Sequence, residues 1–176
     1  MRKLFTDIKA IHGIEDNTKS LLKGAEMSRV VTIHDAWLLT ENGNFANWGS
    51  MQDSDLPKAD EIISLYGLEV LPGLVDSHTH CIFGEPRSAE WEMRLKGATY
   101  EEIAAAGGGI LNSAYKLRIM DEEWLYEQSL WRVKRMIEHG STTIEIKSGY
   151  GLSIESELKM LRIGRRIEKN VKATIK

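Results

Sequence analysis

The chain has a single cysteine, Cys81, which excludes an internal disulfide framework and suits a reducing compartment. No apolar run approaches the ~20 residues that a membrane-spanning helix needs. The opening MRKLFTDIKAIHG is broken by polar residues too often to read as a secretory signal. Basic excess is lacking too: 23 Lys and Arg stand against 26 Asp and Glu, a net charge of −3, which gives no field for nucleic acid. There is no acidic tail, no repeat at solenoid spacing and no low-complexity tract. The run Gly107-Gly108-Gly109 belongs to neither a G-x-x-x-x-G-K-[ST] string nor a G-x-G-x-x-G after a strand, so it is not a phosphate loop. What is present is an ordinary globular composition, 42% hydrophobic and 28% charged, over 176 residues. That is enough for one large core or two small ones. The expectation is a soluble cytoplasmic protein with no nucleic-acid or membrane partner.

Two grammars divide the chain. Residues 1–70 alternate apolar and polar residues in short bursts and read as mostly β. Trp37 to Thr40 and Phe45 to Trp48 flank Asn42-Gly43, a pair that readily takes the positive φ angles of a tight hairpin turn. Glu61 to Leu71 reads as one further strand, and the polar, Pro57-containing stretch Met51 to Asp60 as a loop. These strands are too few to close a sandwich, so residues 1–70 are expected to form an incomplete β-sandwich segment.

From residue 71 the order becomes strand, loop, helix, strand, helix. Leu74 to Cys81 is a strand candidate. Tyr126, Leu130, Val133 and Ile137 mark one helical stripe, with Asp121 as cap and Gly140 as stop. Ser141 to Lys147 is a β-branched strand, Met160, Ile163, Gly164 and Ile167 mark a second helix, and Val171 to Ile175 opens a third strand. Repeated βα units imply parallel strands with helical crossovers. The fold class is therefore α/β. A closed (β/α)8 barrel takes ~250 residues and only about a hundred follow Pro72, so residues 71–176 are expected to hold its first βα units, a partial, truncated TIM-type barrel.

The sharpest motif is the string LPGLVDSHTH, Leu71 to His80. Strand residues two apart share a side, so His78 and His80 would project together, ~6.6 Å apart along the strand. Imidazole nitrogens from such a pair can converge on one ion at ~2.0–2.2 Å. Asp76 lies on the same face and could orient a ligand. An H-x-H pair alone is common on surface loops; its place at the end of an apolar strand makes it specific.

A second string, TTIEIKSGYGL, runs from Thr142 to Leu152. Alternation puts Ile144 and Ile146 on one face and Thr143, Glu145 and Lys147 on the other. Tyr150, between two glycines, falls in the loop at the strand's C-terminal end, where barrels build their sites; its hydroxyl can donate to a carboxylate or ring carbonyl. Glu145 and Lys147 also read simply as an ion pair. A third, long excursion follows the histidines directly. It carries Arg87, whose guanidinium could fork onto an anionic substrate, and Tyr100, a second polar aromatic. Single surface arginines are more often just solvated, and the basic stretch Arg162 to Lys176 reads as a solvated helix face. His12, His34 and His139 lack companions at ligand spacing, and Cys81 lacks a base that would make it a nucleophile.

The strings PGLVDSHTHCIFGEPR, RLKGATYEEIAAAGGGI and GSTTIEIKSGYGLSIESELKMLR, in that order over most of residues 71–165, resemble the imidazolonepropionase family of the amidohydrolase superfamily. Residues 27–50 resemble that family's N-terminal β segment more loosely. The resemblance implies a hydrolase acting on a cyclic amide, opening 4-imidazolone-5-propanoate to N-formimidoyl-L-glutamate in histidine degradation, with one divalent metal ion, zinc or iron. It makes His78 and His80 metal ligands and Arg87, Tyr100 and Tyr150 substrate contacts. It assigns no catalytic residue within this chain, because the family's general base and remaining ligands come from later barrel strands. Where the family has Gly-Ser-Arg or close to it after Phe-Gly, this chain has Glu85-Pro86-Arg87. Family members are more than twice as long, so the chain is expected to be an N-terminal fragment, inactive alone, of a protein that could form a homodimer when full length. The alternatives are another cyclic amidohydrolase or deaminase, dihydroorotase-like or guanine-deaminase-like, and a non-catalytic remnant that binds a partner through open strand edges.

Overall fold

The computed structural model describes residues 1–14, 21–52 and 55–176. They fall into two compact units, Met1–Pro72 and Gly73–Lys176.

The first unit is a five-stranded sheet. Its centre is β1 (Arg2–His12), antiparallel to β2 (Thr32–Glu41), which pairs in turn with β3 (Asn44–Ser50). The β2–β3 turn is the Asn42-Gly43 hairpin, and both residues take positive φ, 52° and 84°, the pair of angles that matches the twist of the flanking strands. Alternation along β2 sends Ala36 and Leu38 into one apolar cluster with Ile8 and Ile11, and Trp37 and Leu39 into another with Leu4. The shift from Leu4 to Ile8 is set by a bulge: Asp7 has φ 56° and its carboxylate accepts from Thr6 and Ser64 hydroxyls at 3.0 and 2.7 Å.

The stretch Glu61 to Leu71 is two strands rather than one. β4 (Glu61–Ser64) lies parallel to the first half of β1, and β5 (Glu69–Val70) lies parallel to its second half. Gly67, at φ 77°, turns the chain between them, so one strand edge is tiled by two short pieces that follow the bulge in β1. The expected loop from Met51 to Asp60 contains no helix or strand among its described residues; residues 53 and 54 lie outside them.

The second unit is a parallel sheet of three strands, β6 (Leu74–Thr79), β7 (Ser141–Ile146) and β8 (Thr174–Ile175), in chain order. The excursion between β6 and β7 is helical rather than a plain loop. It holds α1 (Ser88–Leu95), α2 (Tyr100–Ala105), α3 (Ile110–Ile119) and α4 (Glu122–Glu138). Thr99 and Glu102 cap α2 reciprocally, a Thr-x-x-Glu box legible in the sequence. The helix α5 (Ile154–Glu168) then crosses from β7 to β8. This is the opening of a (β/α)8 repeat.

Its core gathers Ile144 of β7, Leu125, Tyr126 and Val133 of α4, Met160, Ile163 and Ile167 of α5, and Cys81 and Ile82 beyond β6. Each fully buried aliphatic side chain contributes about 1.5–3 kcal/mol. The arginines of α5 are not merely solvated. Arg162 forks onto Glu122 at 2.9 and 3.2 Å, and Arg166 pairs with Glu123 at 2.8 Å with its guanidinium 3.9 Å from the Tyr126 ring centroid. Among the described residues no helix is long and apolar enough to cross a membrane.

Candidate functional site

Strand β6 ends two residues earlier than the stretch Leu74 to Cys81 suggests, at Thr79, so His80 stands just beyond the ladder. Thr79 is locked to β7 twice: its hydroxyl donates to the Glu145 carbonyl at 2.7 Å, and its carbonyl accepts from the Lys147 amide at 2.8 Å. The register slips between Asp76 and Thr79, placing an extra residue in β6 beside His78. A bulge of this kind re-aims a side chain. The two imidazoles come together with ring centroids 5.2 Å apart and planes at 76°.

Nδ1 of His80 is buried and has no hydrogen-bond partner among the described residues. Buried polar nitrogens are nearly always satisfied, so such an atom points to a ligand. Asp76 accepts from the His78 amide at 3.4 Å, across its own strand, rather than from either ring. Among the described residues no third His, Cys, Asp or Glu joins the pair as a ligand group. Glu145 pairs with Lys147 at 2.8 Å; that lysine first, and His78 more weakly, hold its carboxyl below the ordinary carboxylate range.

Tyr150 stands edge-on to His80, with ring centroids 4.7 Å apart and planes at 88°. Its neighbours are glycines for physical reasons. Gly149 has φ 126°, and a Cβ on Gly151 would come within 2.6 Å of Ser156 Cβ. A cavity of about 280 Å³ is lined by His80, Phe83, Pro86, Arg87, Ser113 and Tyr150, among others. The structure thus brings His78, His80 and Tyr150 together and sets Arg87 on the same cavity. Tyr100 does not line that cavity; it is exposed on a second depression with Gly107 to Leu111, yet near enough to Arg87 to act on its charge.

Arg87 is not a free cation. Nε donates to Glu90 Oε2 at 2.8 Å, Nη2 donates to the same oxygen, and Glu90 Oε1 accepts from the Gly109 amide at 3.1 Å. The contact raises the Arg87 pKa and lowers that of Glu90, each through the bond between them. Glu90 was not singled out from the sequence, although its i,i+3 spacing from Arg87 was there to be read. Arg132 of α4 went unread too: its Nη1 donates to the carbonyls of Cys81 (3.2 Å) and Phe83 (2.9 Å), and its guanidinium lies 3.7 Å from the Phe83 ring centroid. Nothing local in sequence announces that contact, because it spans about fifty positions. Burial pushes the Cys81 thiol up, away from the thiolate a nucleophile requires. His139 accounts for itself at the end of α4, where its ring meets the Arg135 carbonyl at 2.6 Å. His12 is tied to Thr32 and Glu69.

No protein-family model matches the chain. Along all 176 residues it is 43% identical to the imidazolonepropionase of Flavobacterium johnsoniae, and it covers 43% of that protein. The chain therefore spans less than half the length of the curated relatives it matches. Among solved structures, E. coli guanine deaminase superposes with a TM-score of 0.61 at 16% identity, over 99% of this chain and 36% of its own. Atrazine chlorohydrolase from Arthrobacter aurescens, complexed with zinc, does so with a TM-score of 0.59 at 15% identity, over 98% and 34%. At such identities these two speak to the fold alone, an α/β chain carrying part of a (β/α)8 barrel. The sequence identity, sustained from end to end, speaks to descent: along its whole length this chain is related to part of the imidazolonepropionases.

Proposed function

We propose that this chain is part of an enzyme that hydrolyses the cyclic amide of 4-imidazolone-5-propanoate to N-formimidoyl-L-glutamate. In this reading His78 and His80 hold one divalent metal ion, zinc or iron, and Arg87, Tyr150 and Tyr100 are substrate contacts. The observation that carries it is the His80 Nδ1 atom, buried and without a hydrogen-bond partner among the described residues, beside a second imidazole on a cavity shared with Tyr150 and Arg87.

The donor set fits a borderline-soft divalent ion, for which neutral imidazole is the commonest nitrogen ligand. Bound there, the ion supplies Lewis-acid chemistry, polarising a carbonyl and acidifying water. The chain's own residues bind and orient. Tyr150 presents a hydroxyl that can donate to the ring carbonyl or the propionate. Arg87 can take the propionate in a two-pronged grip once Glu90 yields, which fixes the ring against the histidines. Phe83 and Pro86 offer an apolar wall against which the ring can lie. No residue of this chain is assigned the proton transfer that breaks the C–N bond. The lone thiol, Cys81, supports a cytoplasmic setting for the enzyme.

Two measurements test the reading. Co2+ or Zn2+ titration of the chain should show one equivalent bound, lost in His78→Ala, His80→Ala and the double variant. Turnover of 4-imidazolone-5-propanoate should be absent in this chain and present when it is extended to the length of its relatives. Metal binding unaffected by both substitutions, or an extended protein that binds metal and leaves the imidazolone intact, overturns it.

A further inference from the structure

The Gly149–Leu152 turn stands where an unsupported loop would be free to wander, yet its backbone amides converge on one side chain. Glu157, in α5, accepts from the Gly149 amide with Oε2 at 2.5 Å. Its Oε1 accepts from the amides of Gly151 and Leu152 at 2.7 and 2.9 Å. Glu157 is thus not the cap of its own helix, although its charge stands in the positive first turn. The α5 N-terminus is capped by Ser153, whose hydroxyl oxygen accepts from the Ser156 amide at 3.3 Å. The carboxylate reaches backwards instead, out of the helix and into the preceding loop.

That loop abuts the histidine pair. A Cβ on Gly149 would be 3.7 Å from Cε1 of His80, and the Tyr150 ring meets the same imidazole at a centroid distance of 4.7 Å. Leu152 takes φ 54°, a strained angle for a branched side chain. Something must hold it there, and the charge-assisted bond from its own amide does so. Burial alone would raise the Glu157 pKa. The Leu152 amide, the Ser148 side chain and the Gly149 and Gly151 amides outweigh it and hold the carboxyl below its ordinary range.

We infer that Glu157 is a positioning residue: its carboxylate gathers the amides of the 149–152 turn and thereby sets the Tyr150 ring against His80. The inference deepens the proposed function, since it rests on that reading for the view that Tyr150 faces a substrate. The placement itself stands on backbone geometry.

The two oxygens divide the work unequally, and this gives a sharp test on the intact 176-residue chain, by NMR and amide hydrogen exchange. In Glu157→Ala, exchange at Gly149, Gly151 and Leu152 accelerates by about ten- to a hundredfold. The Tyr150–His80 ring contact disappears from the NOE and ring-current signature, while the α5 core amides of Met160 and Ile163 keep their protection. In Glu157→Gln the remaining carbonyl oxygen takes the place of Oε1. Gly151 and Leu152 then stay protected while Gly149 alone speeds up, and the ring contact weakens without vanishing. The inference is overturned if the Tyr150–His80 signature survives Glu157→Ala. It is equally overturned if α5 loses protection along its length in the Gln variant, which would make Glu157 a residue of helix stability. Neither readout needs metal or turnover. A wild-type chain that binds no metal would sink the proposed function and leave this inference to be judged by the ring contact.

Discussion

Replacing Arg132 by methionine tests whether the segment after His80 is held from outside its own strand. One nitrogen of Arg132 donates to two carbonyls, those of Cys81 and Phe83, and the guanidinium covers the Phe83 ring at 3.7 Å. Hydrogen bonds from a charged donor contribute about 1.5–3 kcal/mol each, and a half-buried cation–π contact about 0.5–2 kcal/mol. Two bonds from one nitrogen do not add in full, and methionine keeps the packing of the stem. The net loss should be about 3 kcal/mol for Arg132→Met. Lysine keeps the charge but not the planar fork, so Arg132→Lys should lose about half of that. A chain of two compact units has no single unfolding free energy, so the assay is native-state hydrogen exchange at core amides of the second unit, such as Ile144 and Ile163. Exchange there should rise by about a hundredfold in the Met variant and by roughly tenfold in the Lys variant. A change equivalent to less than ~0.5 kcal/mol in Arg132→Met, the range of an ordinary surface substitution, would refute the reasoning.

Three further outcomes follow from particular contacts. Gly73→Ala should destabilise the second unit by about 1–3 kcal/mol, because the new Cβ would overlap Thr142, whose own Cβ lies 2.7 Å away; adding Thr142→Gly should restore most of the loss in a double-mutant cycle by hydrogen exchange. Asp121→Ala should cost about 1 kcal/mol, seen as faster exchange in the first turn of α4, since the Asp121 carboxylate accepts from the Trp124 amide at 3.0 Å. Glu157 has a carboxyl pKa below its unfolded value of 4.5, so its contribution is complete above that value and disappears as pH falls through the lower, folded pKa. Protection of the Gly151 and Leu152 amides, corrected for intrinsic rates, should therefore persist at pH 5 and be lost only at more acid pH; loss between pH 6 and 5 would contradict the geometry.

Periodicity exposed the elements whose partners are near in sequence. The Asn42-Gly43 hairpin, the Asp121-capped helix and the β-branched run before Ser148 are local decisions, each written in a few residues. What escaped was set by tertiary contact. The break between Ser64 and Glu69 follows a bulge at Asp7, more than fifty positions away. The short helices between β6 and α4 were missed because their apolar stripes span too few turns to show a period. At the histidines the sequence identified the pair but not the bulge beside His78, nor the early strand end that leaves His80 outside the ladder. Arg132 and Glu157 were invisible for a common reason. Each acts on another residue's backbone or charge, and charged side chains at the surface look alike until their partners are known.

The bond between Arg87 and Glu90 has a consequence for selectivity. An anion approaching this guanidinium encounters a rival that is already seated and tethered one helical turn away, and a second hydrogen bond to Gly109 keeps the rival from swinging aside. A tethered competitor acts at an effective concentration of order millimolar or more, so free acetate, chloride or phosphate at ordinary levels gains little by displacing it. Only a molecule gripped somewhere else at the same time can win the exchange, which turns a generic positive charge into a discriminating one.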